Sequence, residues 1–348
     1  MVGEGGELSV PYGARTPRPQ AARAAAHIPA LPAGPTHLEN ARAADGSWRT
    51  VRTPRGGAHL PAGVIGYNEF DYRTGPRRRL ELPTATVTMV ILFDGALHVG
   101  RLGTPGHGPT PPAHGTPVHG SPAHGSLVRG SLVHGPSLTA ALGCHSGVLR
   151  GVELVVEPWL ARRVFGVPVR ELTQGGLPLD DLLGRDGARL AEQLADGRGP
   201  HHRIQVVADA LVRRLRDAPQ VDPRVLGVWH HLVATEGQAR IAELARTTGW
   251  SARTLEIRFE EQIGHTPKKT ARILRLRRAA ALLADGSSSS GAASACGYSD
   301  QAHLSREFKA MTGLSPTRFA AARTGRTDGE RPPDRIAGSA TSVLMPSA

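Results

Sequence analysis

Ala295-Cys-Gly-Tyr-Ser-Asp-Gln-Ala-His-Leu-Ser-Arg-Glu-Phe-Lys309, followed by Thr312-Gly-Leu-Ser-Pro316, decides the reading because an earlier segment repeats its pattern. Gly249-Trp-Ser251 recurs as Gly297-Tyr-Ser299 at an offset of 48. Leu255, Phe259, Gly264 and Pro267 recur as Leu304, Phe308, Gly313 and Pro316 at an offset of 49, so one extra residue enters the second copy between the serine and the leucine. A single charged helix face is ordinarily a solvated face; its duplication points to two similar reading units.

Local chemistry gives each unit the shape of a helix-turn-helix. Ile241-Ala-Glu-Leu-Ala245 predicts a short helix, Thr248-Gly249 a tight turn, and Ser251 the cap of a helix running to Ile263, where Gly264 stops it. On the 3.6-residue period, Leu255, Phe259 and Ile263 share a core face, while Arg253, Glu256 and Glu260 share another with Ile257 beside them. Arginine near a helix N-terminus can pair with guanine O6 and N7, and Glu256 can accept from cytosine N4. Upstream, Asp222-Pro223 predicts an N-cap and first turn, with Val225, Val228, Trp229 and Leu232 on one core face.

Between the units, Thr266-Pro267 opens a long helix to about Asp285. It carries Lys268, Lys269, Arg272, Arg275, Arg277 and Arg278 outside and Ile273, Leu274, Leu276, Leu282 and Leu283 on apolar faces. Two recognition helices on such a rod can enter successive major grooves if they lie about 34 Å apart. Basic residues neutralise phosphates without specifying sequence.

Outward from this region, the 348-residue chain predicts two domains. Residues 1–56 and 324–348 read as disordered tails, 57–218 as an α+β sensor or dimerisation domain, and 222–323 as an all-α domain with two helix-turn-helix units. Thr84 to Phe93 is a β-branched run continuing as a hairpin through Ala96-Leu-His-Val99. Gly147 to Val156 predicts a strand, and helices are expected over 158–165, 179–194 and 204–217. A His/Gly/Pro tract over 103–136 interrupts the domain, with His107, His114, His119, His124 and His134 as conceivable zinc or nickel ligands. A flexible tract lacks a preorganised second shell, so neither a metal site nor a cofactor is assigned.

Lys plus Arg number 42 against 30 Asp plus Glu, a formal charge of +12 that suits a polyanionic partner. Cys144 and Cys296 form no CxxC pair, which argues against a zinc ribbon or disulfide scaffold. No stretch approaches 18 apolar residues and the first 25 carry no secretory core, so a cytoplasmic protein without membrane contact is expected.

The residues quoted above resemble the AraC/XylS family of bacterial regulators over about 100 residues, most specifically through 295–309 and 312–316. The first unit matches through Ile241-Ala-Glu-Leu-Ala245, Gly249, Ser251, Leu255, Phe259 and Gly264 to Pro267, and the rod through Arg275 to Leu283. The resemblance implies a non-enzymatic, sequence-specific regulator with double-stranded DNA as partner. RNA polymerase and a small-molecule effector are further candidate partners, and the chain is a monomer or homodimer. Family base-reading positions fall at Arg253, Glu256, Ile257, Gln301, Ala302 and Arg306; candidate phosphate contacts are Ser251, Lys268, Lys269, Arg272, Ser299 and Lys309. Where the family's second unit buries a Leu and a Val, this chain has Ser289 and Ala292, which predicts a loosely packed second unit. Gly-Tyr-x-Glu around Tyr67, Leu82-Pro83 and 166–172 resemble the N-terminal regions of some members, which sense an effector or dimerise. Alternatives are a metal-responsive regulator acting through the His tract, a nonspecific DNA binder, or a DNA-repair alkyl transferase using a cysteine. Neither cysteine has that last chemistry's motif.

Overall fold

Alternation along the strands sets the layers. The computed structural model describes residues 38–43, 46–53, 60–101 and 126–324, with the backbone of 335–336, 339–340 and 342–345. Its strands are β1 (Glu39–Arg42), β2 (Trp48–Arg52), β3 (Val64–Arg73), β4 (Arg77–Glu81), β5 (Val87–Gly95), β6 (Leu97–Arg101), β7 (Ser126–Val128), β8 (Ser131–His134), β9 (Ala141–His145) and β10 (Val148–Val156), then β11 (Arg335–Ile336), β12 (Ser339–Ala340) and β13 (Ser342–Met345). One sheet has the order β1-β2-β3-β10-β5-β8 and a second β13-β4-β9-β6-β7, with antiparallel pairing throughout.

Tyr67, Val87, Met89, Ile91, Val152, Leu154 and Val156 point to one face of the first sheet, where α1 (Pro158–Phe165), α3 (Arg185–Ala195) and α4 (Pro200–Leu215) cover them. Phe70, Tyr72, Leu92 and Leu149 point to the other, meeting Leu97, Val99 and Val128 of the second sheet. The period of two therefore yields three layers from one central sheet. Arg203 of α4 fastens the helical layer: its guanidinium meets Glu69 at 3.0 Å, with both side chains under a tenth exposed, and donates to the Leu194 carbonyl.

The helical domain follows as α5 (Pro223–Ala234), α6 (Ile241–Thr248), α7 (Ala252–Ile263), α8 (Pro267–Ala284), α9 (Ser289–Ala295), α10 (Gln301–Thr312) and α11 (Pro316–Thr324). An α+β domain before an all-α one is thus what the chain builds. Asp222 caps α5 by accepting from the Arg224 amide, Pro223 fills the first turn, and Val225, Val228, Trp229 and Leu232 are buried as the period requires. At the end of α5 the chain needs Gly237 (φ 80°), because a Cβ there would strike the Ala271 carbonyl oxygen of α8.

Several expectations are corrected. β5 and β6 do not form a hairpin but lie in different sheets, because the chain turns at Gly95 (φ 83°) beside Leu149 and crosses over. The 1–56 segment is not wholly disordered: β1 and β2 lie within it, and Trp48, Thr50 and Val51 are buried. Within the 324–348 tail, β13 adds an edge strand to β4, Val343 opposite Leu80. The low-complexity 103–136 tract ends in structure, since Ser126–Val128 and Ser131–His134 are strands in which Val128, Leu132 and Val133 are buried. Gly184 splits the helix expected over 179–194 into α2 (Leu179–Leu183) and α3. Residues 102–125, with His107, His114, His119 and His124, lie outside the described residues, as do 1–37.

Candidate nucleic-acid interface

The two units are built alike. In the first, α6 ends at Gly249 in the left-handed region (φ 69°), and the Ser251 hydroxyl caps α7 by accepting from the Thr254 amide at 3.1 Å. In the second, the Asp300 carboxylate caps α10 by accepting from the His303 amide at 2.6 Å. That bond holds the Asp300 carboxyl below the usual range. Both α7 and α10 have 12 residues and end on left-handed glycines, Gly264 and Gly313. The extra residue of the second copy therefore moves the cap from the serine to the following aspartate. Ser299 instead bonds Asp300 and His303.

Core and reading faces separate cleanly. Leu255, Phe259 and Ile263 are buried, as are Leu304 and Phe308. Arg253, Ile257, Gln301, Ala302 and Arg306 are exposed and Glu256 is half-buried. Ile257 is 52% exposed, the one large exposed hydrophobic among the described residues of the helical domain.

The phosphate candidates divide by whether their charge is already committed. Lys269 pairs with Glu260 at 3.8 Å and Arg272 with Glu307 at 3.2 Å. Glu307 also holds Arg275 at 4.0 Å and His303 at 3.5 Å, making it a hub between α8 and α10 that the sequence did not reveal. The Ser251 hydroxyl is shared with Thr254 Oγ1 at 2.9 Å. Among the described residues Lys268 and Lys309 are exposed and carry no ion pair, and so do Arg246 and Arg318, which lie outside the rod pattern and were missed.

Despite Ser289 and Ala292, α9 forms: Ser288 caps it through the Gly291 amide, and Ala292, Ala293 and Cys296 are buried in the core shared with α8 and α10. Small side chains permit that close approach.

The β-rich domain covers part of the helical domain and leaves the reading faces open. Leu80, Leu82, Ala85 and Ala140 join the helical core, and the Ala140 amide donates to the Met311 carbonyl at 2.8 Å. Glu157 Oε2 accepts from Trp229 Nε1 of α5 at 3.3 Å and also from Trp159 Nε1. At the end of α7, Gly264 (φ 100°) lies against Val169, Thr173 and Pro136. Next to it, burial and then the Lys269 charge hold the His265 imidazole down at about 4, against a hydrogen bond with the Pro136 backbone.

Elsewhere, Cys144 and Cys296 are buried, and burial pushes both thiols up, away from the thiolate that nucleophilic chemistry needs. Among the described residues no three His, Cys, Asp or Glu side chains are grouped to hold a metal ion, and no helix is long and apolar enough to cross a membrane. Glu153, on β10, meets Asn68 of β3 at 3.4 Å, and Asn68 in turn accepts from Arg52 at 3.3 Å; desolvation raises the Glu153 carboxyl.

Residues 244–322 match the family model described as "Helix-turn-helix domain". No curated protein matches the chain. Among solved structures, an AraC-type DNA-binding domain-containing transcriptional regulator from Chromobacterium violaceum is 28% identical over 30% of this chain and 96% of its own, with a TM-score of 0.28. The DNA-binding domain of AdpA, a global transcriptional factor solved with a target DNA, is 26% identical over 30% of this chain and 95% of its own, TM-score 0.28. ToxT from Vibrio cholerae O395 aligns with 80% of this chain and 99% of its own at 10% identity and a TM-score of 0.40. With two capped, glycine-terminated units inside the matched region, residues 244–322 form a helix-turn-helix domain.

Proposed function

We propose that the chain regulates transcription in the cytoplasm by reading a specific double-stranded DNA sequence, with α7 and α10 in successive major grooves. The carrying observation is that two helices of equal length and cap register expose Arg253, Ile257, Gln301, Ala302 and Arg306 while burying equivalent leucines and phenylalanines. Glu256 stands beside them as a candidate acceptor from cytosine. The connecting α8 has 18 residues, about 27 Å at 1.5 Å per residue, which suits a span near the DNA turn of about 34 Å. Lys268, Lys309, Arg246 and Arg318 supply phosphate contacts from outside the reading faces. Ser251, Lys269, Arg272 and Ser299 have weaker claims, since each already has a partner within the protein.

Two readers in one chain let a monomer hold an asymmetric site. A small-molecule effector in the β-rich domain and contact with RNA polymerase complete the proposal. The Glu153–Asn68–Arg52 group between the sheets offers polar partners for the former, and the shared core and Glu157 connect that domain to α5. The test is enrichment of random duplexes by the full-length chain, comparing enriched with scrambled sequences across salt concentrations. An asymmetric motif with two blocks about one helical turn apart supports the reading; affinity indifferent to sequence overturns it.

A further inference from the structure

Counted from their N-caps, Ser251 and Asp300, the two recognition helices expose the same positions with their chemistry exchanged. The second residue is Arg253 in α7 and Ala302 in α10; the sixth is Ile257 in α7 and Arg306 in α10. All four are exposed, and neither arginine has an ion pair among the described residues. Charge also differs at the ninth position, where α7 has Glu260, tied to Lys269, and α10 has the unpaired Lys309. The equivalence runs from cap to cap and not from serine to serine, because the cap moves by one residue in the second copy.

Residues two and six lie about 6 Å apart along one helix face, or roughly two steps of about 3.4 Å in B-DNA. Arginine takes guanine through O6 and N7, whereas an alkyl side chain contacts the thymine methyl. An isoleucine that is 52% exposed on an otherwise polar helix face has apolar surface to bury when the helix enters a groove. Resting on the two-groove reading above, we infer that the units read guanine and thymine in opposite order along their helices. In α7, Arg253 takes guanine and Ile257 the thymine methyl; in α10, Ala302 takes the thymine methyl and Arg306 guanine. A duplicated protein thus reads a site whose halves are not repeats.

The experiment uses the full-length chain and the duplex enriched by selection. Each thymine is replaced singly by uracil, which lacks the methyl, and each guanine by 7-deazaguanine, which lacks N7. Binding is measured for the wild type, Arg253→Ala, Ile257→Ala and Arg306→Ala, all at exposed positions. One uracil in the first block should weaken wild-type binding about fourfold and have no effect on Ile257→Ala. One deazaguanine in each block should weaken it about fivefold or more, the first sensitivity vanishing in Arg253→Ala and the second in Arg306→Ala. First-block uracil sensitivity that persists in Ile257→Ala, or the same guanine-thymine order in both blocks, overturns the inference while leaving the two-groove reading intact. A selection that enriches no motif overturns the two-groove reading itself, and this inference with it.

Discussion

Replacing Glu157 with alanine would strip two indoles of one acceptor. Trp229 is 2% exposed and its Nε1 donates to Glu157 Oε2 at 3.3 Å, so in Glu157→Ala its N–H is left in the core without a partner. An orphaned buried donor costs about 1–3 kcal/mol. Trp159, which donates to the same oxygen, is half-buried and can turn to water, adding less. Although Glu157 occupies the N-cap of α1, its side chain makes no capping bond, so no cap is lost. A loss of about 2 kcal/mol is therefore expected. Glu157→Gln keeps an acceptor oxygen in place and should lose well under about 1 kcal/mol. Urea unfolding followed by tryptophan fluorescence measures both variants. If alanine and glutamine shift the midpoint equally, the bond between the β-rich and helical domains contributes nothing and the reasoning fails.

Further outcomes follow from the same geometry. Gly249→Ala, at φ 69° with open space around its Cβ, should lose about 1–2 kcal/mol from backbone strain alone. Gly264→Ala should lose more in the same unfolding assay, since its φ is 100° and the new Cβ would sit 3.0 Å from Val169; equal losses would argue against that contact. His265 is neutral when folded down to about pH 4, whereas the unfolded chain takes up its proton near 6.5. Its effect is therefore absent above about pH 6.5, and stability falls as pH drops from there towards 4, by up to roughly 3 kcal/mol; His265→Gln should flatten that part of a stability-pH curve. Arg203→Ala removes one of the two arginines that meet the buried Glu69 carboxylate, leaving Arg49 at 3.3 Å, and should cost about 1–3 kcal/mol in chemical denaturation. In DNA binding, Arg253→Ala should relax preference at one base pair, whereas Lys268→Ala should weaken all sequences and lower the salt slope by about one; indistinguishable effects would remove the distinction between reading and phosphate residues.

The helical domain was legible because its signals are local. Caps at Asp222, Ser251 and Thr266 and the stop at Gly264 each act within a few residues, and the 3.6-residue period placed Leu255, Phe259 and Ile263 in the core. Strand partners are chosen across long separations, so β5 was read with its sequence neighbour β6 although it pairs with β10 and β8. Composition misled at the tract's end, where Leu132 and Val133 outweigh the surrounding glycines once β5 lies beside them. At the site, exposure of the reading residues followed from periodicity. The capture of Arg272 by Glu307 did not, because it depends on how α8 crosses α10.

Hydroxyl-radical footprinting of the full-length chain on its enriched duplex distinguishes two readers on one rod from a single reader. Two protected patches on one face of the DNA, about one helical turn apart, with the patch under α10 lost in Arg306→Ala and the patch under α7 kept, is the predicted result. A single patch, or two that weaken together in that variant, would contradict it.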